Sequence, residues 1–245
     1  MIKRPLIFVG SRNDFPNLAL IAELNGIEIV GILDHHYYGN TDLMSNIPVI
    51  GDERWLSDTT NIQAQQWLKT CDFFPSNWTE GAQSTNKINM SALRLQRIDV
   101  LEKANANVIN LIHPNARVDG RTSKYAVNFN LGRGILIDDM CWVSINNTII
   151  GDYSQFSIGV GVGHNAIIGK NVTVAPWATL PRCTIGDNTV IGMHAKIDAI
   201  GAYHPGTLNI GSGSTIWANA LISKDVPDNS IYTNKGRIFK KKNQL

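Results

Sequence analysis

The sequence predicts a small α/β domain with a parallel sheet, followed by a parallel β-helix. Three observations predict this order. Branched apolar or bulky residues recur at intervals of six through most of the segment from Ile150 to Ile222. Only six charged residues lie between Val143 and Ile222, although charged residues make up 17% of the whole chain. Before that segment, short apolar runs alternate with helix-like stretches, which is typical of parallel strands with helices on their faces.

The N-terminal part supplies the elements of the α/β domain. The expected strands are residues 6–9, 27–33, 48–50, 71–74 and 108–111, and the expected helices are residues 17–25, 62–69 and 91–104. Ligands of such sheets bind at the carboxyl ends of the strands, which here are Gly10 to Arg12 and Asp34 with His35. A GxGxxG pattern is missing from the sequence, so a full dinucleotide site is disfavoured.

The second part contains an internal repeat. The residues expected to point inward are Ile150, Phe156, Val162, Ile168, Val174, Leu180, Ile185, Ile191, Ile197, Ile210, Ile216 and Ile222. A period of six cannot keep one face of an α-helix, but it suits short strands that turn a corner every six residues. Three such strands form one triangular coil. Leu131, Ile137 and Val143 extend the pattern back towards residue 113.

Small and polar residues mark the corners of the coils. A glycine directly follows the inward residue at Gly151, Gly163, Gly169, Gly186, Gly192 and Gly211. We expect these glycines to relieve crowding and to permit unusual φ values. Asp152, Asn171, Asp187 and Asn188 add side chains that tolerate left-handed or turn conformations. The period is broken at Pro181 to Thr184, by one residue, and by a loop at residues 198–209, and such loops commonly carry specificity.

Composition narrows the functional classes. The 245 residues carry a net charge of +2, and basic residues crowd the C-terminal tail rather than a face of the body, so we expect no nucleic-acid partner. No apolar run approaches the length of a membrane span, so we expect no membrane insertion. The three cysteines do not form CxxC pairs, which argues against disulfides and a zinc cluster and predicts buried or inert thiols. The first residues do not resemble a secretory signal, so we expect a cytoplasmic protein.

Three motifs carry a resemblance to a known family. They are Asn-Leu-Ile-His-Pro-Asn-Ala-Arg-Val at residues 110–118, Gly-His-Asn at residues 163–165, and the closing segment at residues 222–232. With the repeat, they resemble the left-handed β-helix (hexapeptide-repeat) acyltransferases, in the subgroup of sugar O- and N-acetyltransferases. The resemblance covers nearly the whole chain. The left hand of the helix is implied by this resemblance, because parallel crossovers are in general right-handed.

The resemblance implies a division into three parts. These are a Rossmann-like sugar-nucleotide-binding domain at residues 1–112, a left-handed β-helix acyltransferase domain at residues 113–233, and a basic C-terminal tail at residues 234–245. It also implies a homotrimer with active sites between subunits, a nucleotide-sugar substrate, acetyl-CoA as cosubstrate and no metal. The implied activity is N-acetylation of a nucleotide-linked amino sugar in bacterial surface-glycan (lipopolysaccharide or O-antigen) biosynthesis, with O-acetylation of a sugar hydroxyl as the close alternative.

His164 falls on the catalytic base of the family. An acceptor amine or hydroxyl must lose a proton as it attacks the thioester, and an imidazole that titrates near neutrality can take that proton. The alternative is an ordinary turn residue. Asn165 stands where the family often has a carboxylate, which can raise the basicity of the neighbouring ring. An amide cannot supply that charge, but it could still orient the ring.

The resemblance also implies binding residues for both substrates. Those carried over for the pantetheine arm are Thr173, Met193 and Ala218, and those for the nucleotide sugar are Ser11, Arg12, Asn13, Asp34 and His35. Thr173 stands where a related enzyme has a histidine. Because Pro181 has no N–H, Arg182 is the expected donor to the thioester oxygen. Ordinary strand-ending turns are the alternative for Asp34 and His35.

Two other functions stay open. A zinc enzyme of the β-helix carbonic anhydrase kind would use His164, His194 and His204, although their spacing suits that family poorly. A non-catalytic sugar-nucleotide-binding homologue is motivated by Asn165 and Thr173, which depart from the family pattern. A metal site at His35 and His36 is disfavoured, because adjacent residues of an extended chain point in opposite directions.

Overall fold

The computed structural model describes residues 3–10, 15–38, 47–76, 90–198 and 207–241. It divides the chain into two units, Met1–Pro114 and Asn115–Leu245. Four of the site residues predicted from the sequence lie outside the described residues: Ser11, Arg12, Asn13 and His204. Most of the predicted loop at residues 198–209 lies outside them as well.

The first unit contains a parallel sheet with the strand order β3-β2-β1-β4. Its strands are β1 (Leu6–Val9), β2 (Ile29–Leu33), β3 (Val49–Gly51) and β4 (Asp72–Pro75), and a short strand β5 (Leu111–Ile112) follows later. The helices are α1 (Phe15–Leu24), α2 (Ile62–Thr70) and α3 (Met90–Lys103), with a 3₁₀ helix at Glu53–Ser57. The parallel sheet predicted from the sequence is confirmed.

The central strand explains why the pattern was readable. All four residues of β1 are fully buried. Because both faces of this parallel strand are covered, its sequence is a continuous apolar run rather than an alternating one. Val9 aligns with Leu33 and with Pro75, so β1, β2 and β4 end at the same edge of the sheet. The strand expected at residues 108–111 is different: Val108 makes only an isolated bridge to Phe73.

The second unit is a stack of parallel coils with three faces. Face 1 contains β7 (Leu136–Ile137), β10 (Gln155–Phe156), β13 (Thr173–Val174), β16 (Val190–Ile191), β19 (Thr215–Ile216), β21 (Ser230–Tyr232) and β22 (Ile238–Lys240). Face 2 contains β8 (Trp142–Val143), β11 (Gly161–Val162), β14 (Thr179–Leu180), β17 (Lys196–Ile197) and β20 (Leu221–Ile222). Face 3 contains β6 (Asn130–Leu131), β9 (Thr148–Ile150), β12 (Ala166–Ile168), β15 (Cys183–Ile185) and β18 (Leu208–Ile210).

The predicted inward residues form the core of this stack. Every strand from β9 to β20 ends at one of them, and none of the twelve is more than 4% exposed. Phe156 pairs with Ile137 of the preceding coil and Val174 of the next. The parallel β-helix is therefore confirmed, and its repeat and parallel sheets fit the left-handed form.

The corners differ from the sequence-based expectation in one respect. None of the six glycines after inward residues has a φ in the left-handed region. The left-handed positions belong instead to other residues, including Asn171 (φ 52°) and Asn188 (φ 58°). The glycines are needed for space: a Cβ at Gly169 would lie 2.3 Å from Oδ1 of Asp187 in the next coil.

The end of the chain folds back on the last coil. β22 pairs antiparallel with β21, so part of the segment expected as a basic tail is a strand. Lys241 Nζ donates to the carbonyl of Gly213 at 2.6 Å, and burial lowers the pKa of Lys241. Among the described residues, no helix combines the length and apolar character that a membrane crossing needs.

Candidate active site

His164 lies at the corner between face 2 and face 3, directly after β11. Its carbonyl accepts a hydrogen bond from the backbone N–H of Arg182 at 3.1 Å, and the N–H of Asn165 donates to the carbonyl of Asn146 at 3.1 Å. The preceding and following coils therefore fix the backbone on both sides of the histidine. The residue itself is half-buried, so its ring is accessible.

Gly163 allows the coils to approach each other at this corner. A Cβ on Gly163 would lie 3.0 Å from the Cα of Pro181, which is tighter than ordinary packing allows. The Gly-His-Asn motif thus has a structural reason for its first residue. This close approach places His164, the second residue of the motif, beside Arg182 of the adjacent coil.

Two amide side chains stand in line with the imidazole. Asn165 adopts φ 56° and Asn147, one coil earlier, adopts φ 48°. The side-chain nitrogen of Asn147 donates to Oδ1 of Asn165 at 2.9 Å, and Nδ2 of Asn165 lies 3.2 Å from Nδ1 of His164. Asn165 therefore contacts the ring that the sequence expected it to orient. Asn147 carried no motif that could have singled it out.

Arg182 can act only through its side chain. Its backbone N–H is already used by the carbonyl of His164, so the expected donation to a thioester oxygen must come from the guanidinium. Its Nε is buried and lacks a hydrogen-bond partner within the described part of the chain. A buried N–H without an acceptor is costly, so this Nε is a hydrogen-bond donor whose capacity the described residues do not use.

The predicted cofactor residues do not all lie together. Met193 and Ala218 occupy equivalent positions of adjacent coils, at the corner between face 1 and face 2, and both are exposed. Thr173 lies on face 1 and is only 4% exposed. The strands of face 2 separate the corner of Met193 from the corner of His164. Within one chain, Met193 and Ala218 therefore lie at a different corner from His164.

Six exposed large apolar side chains, together called the apolar row, are distributed over face 2 and its corner with face 1. Its members are Met140, Trp142, Trp177, Met193, Trp217 and Leu221, each between 41% and 58% exposed. The sequence analysis missed this row, although the signal was available. Its members lie between the inward residues of the repeat, and exposed large apolar side chains that share one face mark an interaction surface.

In the first unit, Asp34 is fully buried at the end of β2. Its Oδ2 lies 2.8 Å from Nη2 of Arg97, and its Oδ1 accepts from the N–H of His36 at 2.9 Å. Glu53 accepts from the N–H of His35 at 2.7 Å and contacts the ring Nδ1 at 2.5 Å. The carboxylate of Asp34 thus holds the loop, while the ring of His35, 21% exposed, packs against the ring of His36 with 3.8 Å between the ring centroids.

Asp34, His35 and Glu53 are also the one trio of potential metal ligands among the described residues. Arg97 already supplies a positive charge there, since its Nε lies 3.4 Å from Oε1 of Glu53 in addition to its bond with Asp34. The trio is therefore satisfied by protein groups. His194, the other described histidine of the repeat, lies at the corner between faces 1 and 2, away from His164, which gives a zinc site no support within one chain.

Comparison with known proteins gives a family match that includes the corner of His164. Residues 147–182 match the family described as bacterial transferase hexapeptide (six repeats). Residues 147–182 of the second unit carry this repeat. The hexapeptide-repeat part of the resemblance is thereby confirmed, and the matched segment contains His164, Asn165, Thr173 and Arg182.

A curated relative and two solved structures resemble the hexapeptide-repeat chain. The galactoside O-acetyltransferase of Escherichia coli (strain K12) is 31% identical over 119 residues, 43% of this chain and 52% of that protein, so the chain spans about half of that relative. The acetyltransferase domain of PglB from Neisseria gonorrhoeae FA1090 matches 95% of this chain and 98% of its own, with 22% identity and a TM-score of 0.72. A mutant of perosamine N-acetyltransferase from Caulobacter crescentus, in complex with CoA and GDP-perosamine, matches 96% of both chains, with 16% identity and a TM-score of 0.60.

Proposed function

We propose that the chain is an acetyl-CoA-dependent N-acetyltransferase of a nucleotide-linked amino sugar, with His164 as general base. The observation that carries the proposal is the corner at residues 163–165. It offers a half-buried histidine whose backbone bonds that of Arg182, and the Nε of Arg182 is buried without an acceptor among the described residues, inside the segment that matches the transferase family. The acetyltransferase names of the relative and of the structural neighbours agree with this chemistry.

The chemistry follows from the two groups at the corner. The acceptor amine attacks the thioester carbon and loses a proton to the ring of His164. Charge develops on the thioester oxygen, where the guanidinium of Arg182 is the proposed donor. The carbon–sulfur bond then breaks, and the CoA thiolate takes the proton from the ring. The products are the N-acetylated sugar and free CoA.

A complete site then needs a second copy of the chain. The proposed pantetheine track at Met193 and Ala218 and the proposed base at His164 lie at different corners, so one copy would bring the base to the track of another. The apolar row on face 2 supports such an assembly, because large apolar patches of this kind mark interfaces. We propose a homotrimer with active sites between subunits.

The first unit is the proposed sugar-nucleotide-binding domain, of the Rossmann-like kind, at residues 1–112. Parallel sheets bind nucleotides at the carboxyl ends of their strands, where β1 and β2 lead to Ser11, Arg12, Asn13 and His35. Asp34 contributes in this proposal by holding the loop through Arg97 rather than by facing the ligand. Thr173 is kept as a cofactor residue only as a prediction, because it is buried.

The wider setting follows from the substrate class. Nucleotide-linked amino sugars are building blocks of bacterial surface glycans, and we propose that pathway class. The three cysteines are unpaired, which suits the reducing cytoplasm, the location proposed here. O-acetylation of a sugar hydroxyl is the second candidate, favoured by the 31% identity with a galactoside O-acetyltransferase.

The test is acetyl-CoA turnover with UDP-, GDP- and dTDP-linked amino sugars and with their hydroxyl counterparts. We expect one amino sugar to be turned over and His164→Ala to lower kcat by about 10² to 10⁴, the usual contribution of a general base. Asn146→Ala, an exposed position at the same corner, is the control and should retain activity.

Three outcomes would contradict parts of the proposal. Normal turnover by His164→Ala would remove the assigned base. Turnover of the hydroxyl counterparts alone would establish the O-acetyltransferase. Calorimetry that detects sugar-nucleotide binding but no acetyl-CoA binding would establish the non-catalytic homologue.

A further inference from the structure

The side chain of Asn147 lies at the start of a short line of hydrogen bonds that ends on the proposed base. Its Nδ2 donates to Oδ1 of Asn165 at 2.9 Å. The other half of the Asn165 amide, Nδ2, lies 3.2 Å from Nδ1 of His164. The single side-chain oxygen of Asn165 accepts from Asn147, so the side-chain nitrogen of Asn165 is the atom that faces the ring of His164.

In this orientation of the two amides, the imidazole carries its proton on the ring nitrogen that does not face Asn165. An amide nitrogen is a donor only, so Nδ1 of His164 must accept and the neutral ring then carries its hydrogen on Nε2. Nδ1 is engaged by Asn165, which leaves Nε2 as the ring atom available to an acceptor. A ring with hydrogen on Nε2 cannot take a proton there.

The proposed base therefore needs the other tautomer. In that state Nδ1–H donates to Oδ1 of Asn165, and the nitrogen of Asn165 must find an acceptor on its other side. Asn147 offers one when its own amide is turned, since the oxygen and nitrogen of an amide have nearly the same shape. Both amides must turn together, so Asn147 controls the ring through Asn165.

The backbone fixes both asparagines for this role. The N–H of Asn147 donates to the carbonyl of Val127 at 2.7 Å, as that of Asn165 does to Asn146 one coil later. A second pair has the same geometry at another corner, where Nδ2 of Asn171 donates to Oδ1 of Asn188 at 2.9 Å. Stacked asparagines are thus a feature of the fold. Contact of the stack with an imidazole distinguishes the corner of His164.

We propose that Asn147 is a positioning residue whose amide, acting through Asn165, selects the nitrogen of His164 that carries the proton. The inference rests on the proposed function only for its catalytic consequence. The selection of the tautomer is a property of the three side chains and can be observed without any substrate.

Two substitutions should move the ring in opposite directions. In Asn147→Asp the new side chain only accepts, so the nitrogen of Asn165 turns towards it and its oxygen turns to His164, which favours Nδ1–H. In Asn147→Lys the new side chain only donates, so the oxygen of Asn165 stays with it and Nε2–H is favoured. Asn146→Asp and Asn146→Lys make the same charge changes at the neighbouring exposed position, whose side chain lies outside the line.

The readout is the tautomer of His164 in the full chain labelled with ¹⁵N-histidine. Couplings between the ring nitrogens and the carbon-bound ring protons distinguish Nδ1–H from Nε2–H, and His164→Gln identifies the signal. All variants are measured well below their unfolding midpoints, because Lys tolerates the left-handed backbone of residue 147 less well than Asp. Turnover of the substrate found above is the second readout.

We expect the fraction of Nδ1–H to rise in Asn147→Asp and to fall in Asn147→Lys, with kcat roughly fivefold to tenfold higher in the first than in the second, as the net value of one hydrogen bond suggests. The Asn146 pair should leave the tautomer as in the parent. An unchanged tautomer in both Asn147 variants, or an equal change in the Asn146 pair, would overturn the inference. Opposite tautomers with equal kcat would leave the line of hydrogen bonds intact and remove His164 as the base instead.

Discussion

At the residue scale, the spacing of the coils depends on glycines at which an added Cβ would clash with the next coil. Asp187 reaches back with Oδ1 to accept from the N–H of Lys170 at 2.7 Å, and this carboxylate passes directly over the α-carbon of Gly169. The same capping recurs where Asp152 accepts from the N–H of Arg133. Glycine and aspartate thus form a pair across coils. The repeat therefore needs glycine at these positions to leave space for the aspartate's hydrogen bond, and not for an unusual φ angle.

Gly169→Ala should therefore destabilise the second unit. Its Cβ would lie 2.3 Å from Oδ1 and 2.8 Å from the backbone nitrogen of Asp187, and we expect a loss of about 1 to 3 kcal/mol, typical of overpacking. Gly161→Ala is the matched control, because its Cβ would meet only Cγ2 of Thr179 at 3.6 Å. Chemical denaturation followed by circular dichroism measures both; equal losses would contradict the steric explanation.

The sequence indicated His164 and Asn165 because they are adjacent and form a motif. It could not indicate Asn147 or Arg97, because their contacts depend on which residues become neighbours between coils or across a sheet. The distance from Asn147 to Asn165 along the chain equals one turn of the coil, which is readable only once the repeat has been phased. Arg97 meets Asp34 and Glu53 through the packing of α3, and local patterns do not contain that contact.

At the element scale, helix α3 is held at the end of β2 by the buried ion pair between Arg97 and Asp34. Arg97 is 1% exposed and lies between the carboxylates of Asp34 and Glu53. Removing one member of a buried ionic group leaves the others uncompensated, which is far worse than losing an exposed pair. The helix is therefore held at the edge where the sheet is proposed to bind its ligand.

We expect Arg97→Ala to destabilise the first unit by about 3 to 5 kcal/mol. Arg54→Ala is the control, since Arg54 is an exposed partner of Asp52, and such pairs contribute about 0 to 1 kcal/mol. Urea unfolding followed by fluorescence compares the two. A small loss in Arg97→Ala would show that the carboxylates find other partners.

The ends of strands were most predictable where the sequence has a strict period. The inward residues from Ile150 to Ile222 fixed the strand ends because each strand has one side chain in a narrow core. The strand expected at residues 108–111 is formed only in part, since Val108 bridges to Phe73 of β4 and β5 begins at Leu111, because a short apolar run does not fix where a strand begins. The tail was expected as a basic tail from its lysines, yet Ile238 and Phe239 pair with β21, and composition alone could not reveal that.

At the scale of the whole molecule, the proposed assembly depends on the apolar row. Leu221→Lys and Trp217→Glu place charges at positions that are 56% and 49% exposed in a single chain. In an interface these charges would be buried without partners, so we expect a smaller assembly and a parallel loss of turnover. Ile62→Lys, 86% exposed on α2, is the control.

Light scattering gives the mass in multiples of the 27.0 kDa chain. The parent and Ile62→Lys should have the mass of three copies. An active parent with the mass of one copy would refute the site between subunits, and charged variants that keep the parent's mass would assign the row another role.

The antiparallel strand β22 affects whether copies of the chain can stack end to end. A stack of parallel rungs that ended on an unpaired strand would offer a template for the next molecule, and copies could then add end to end into filaments. Here the last rung is covered by a strand of opposite direction that presents Lys240 outward, and charged edge strands resist such addition. That end of the described stack is therefore less open to the end-to-end addition of further copies.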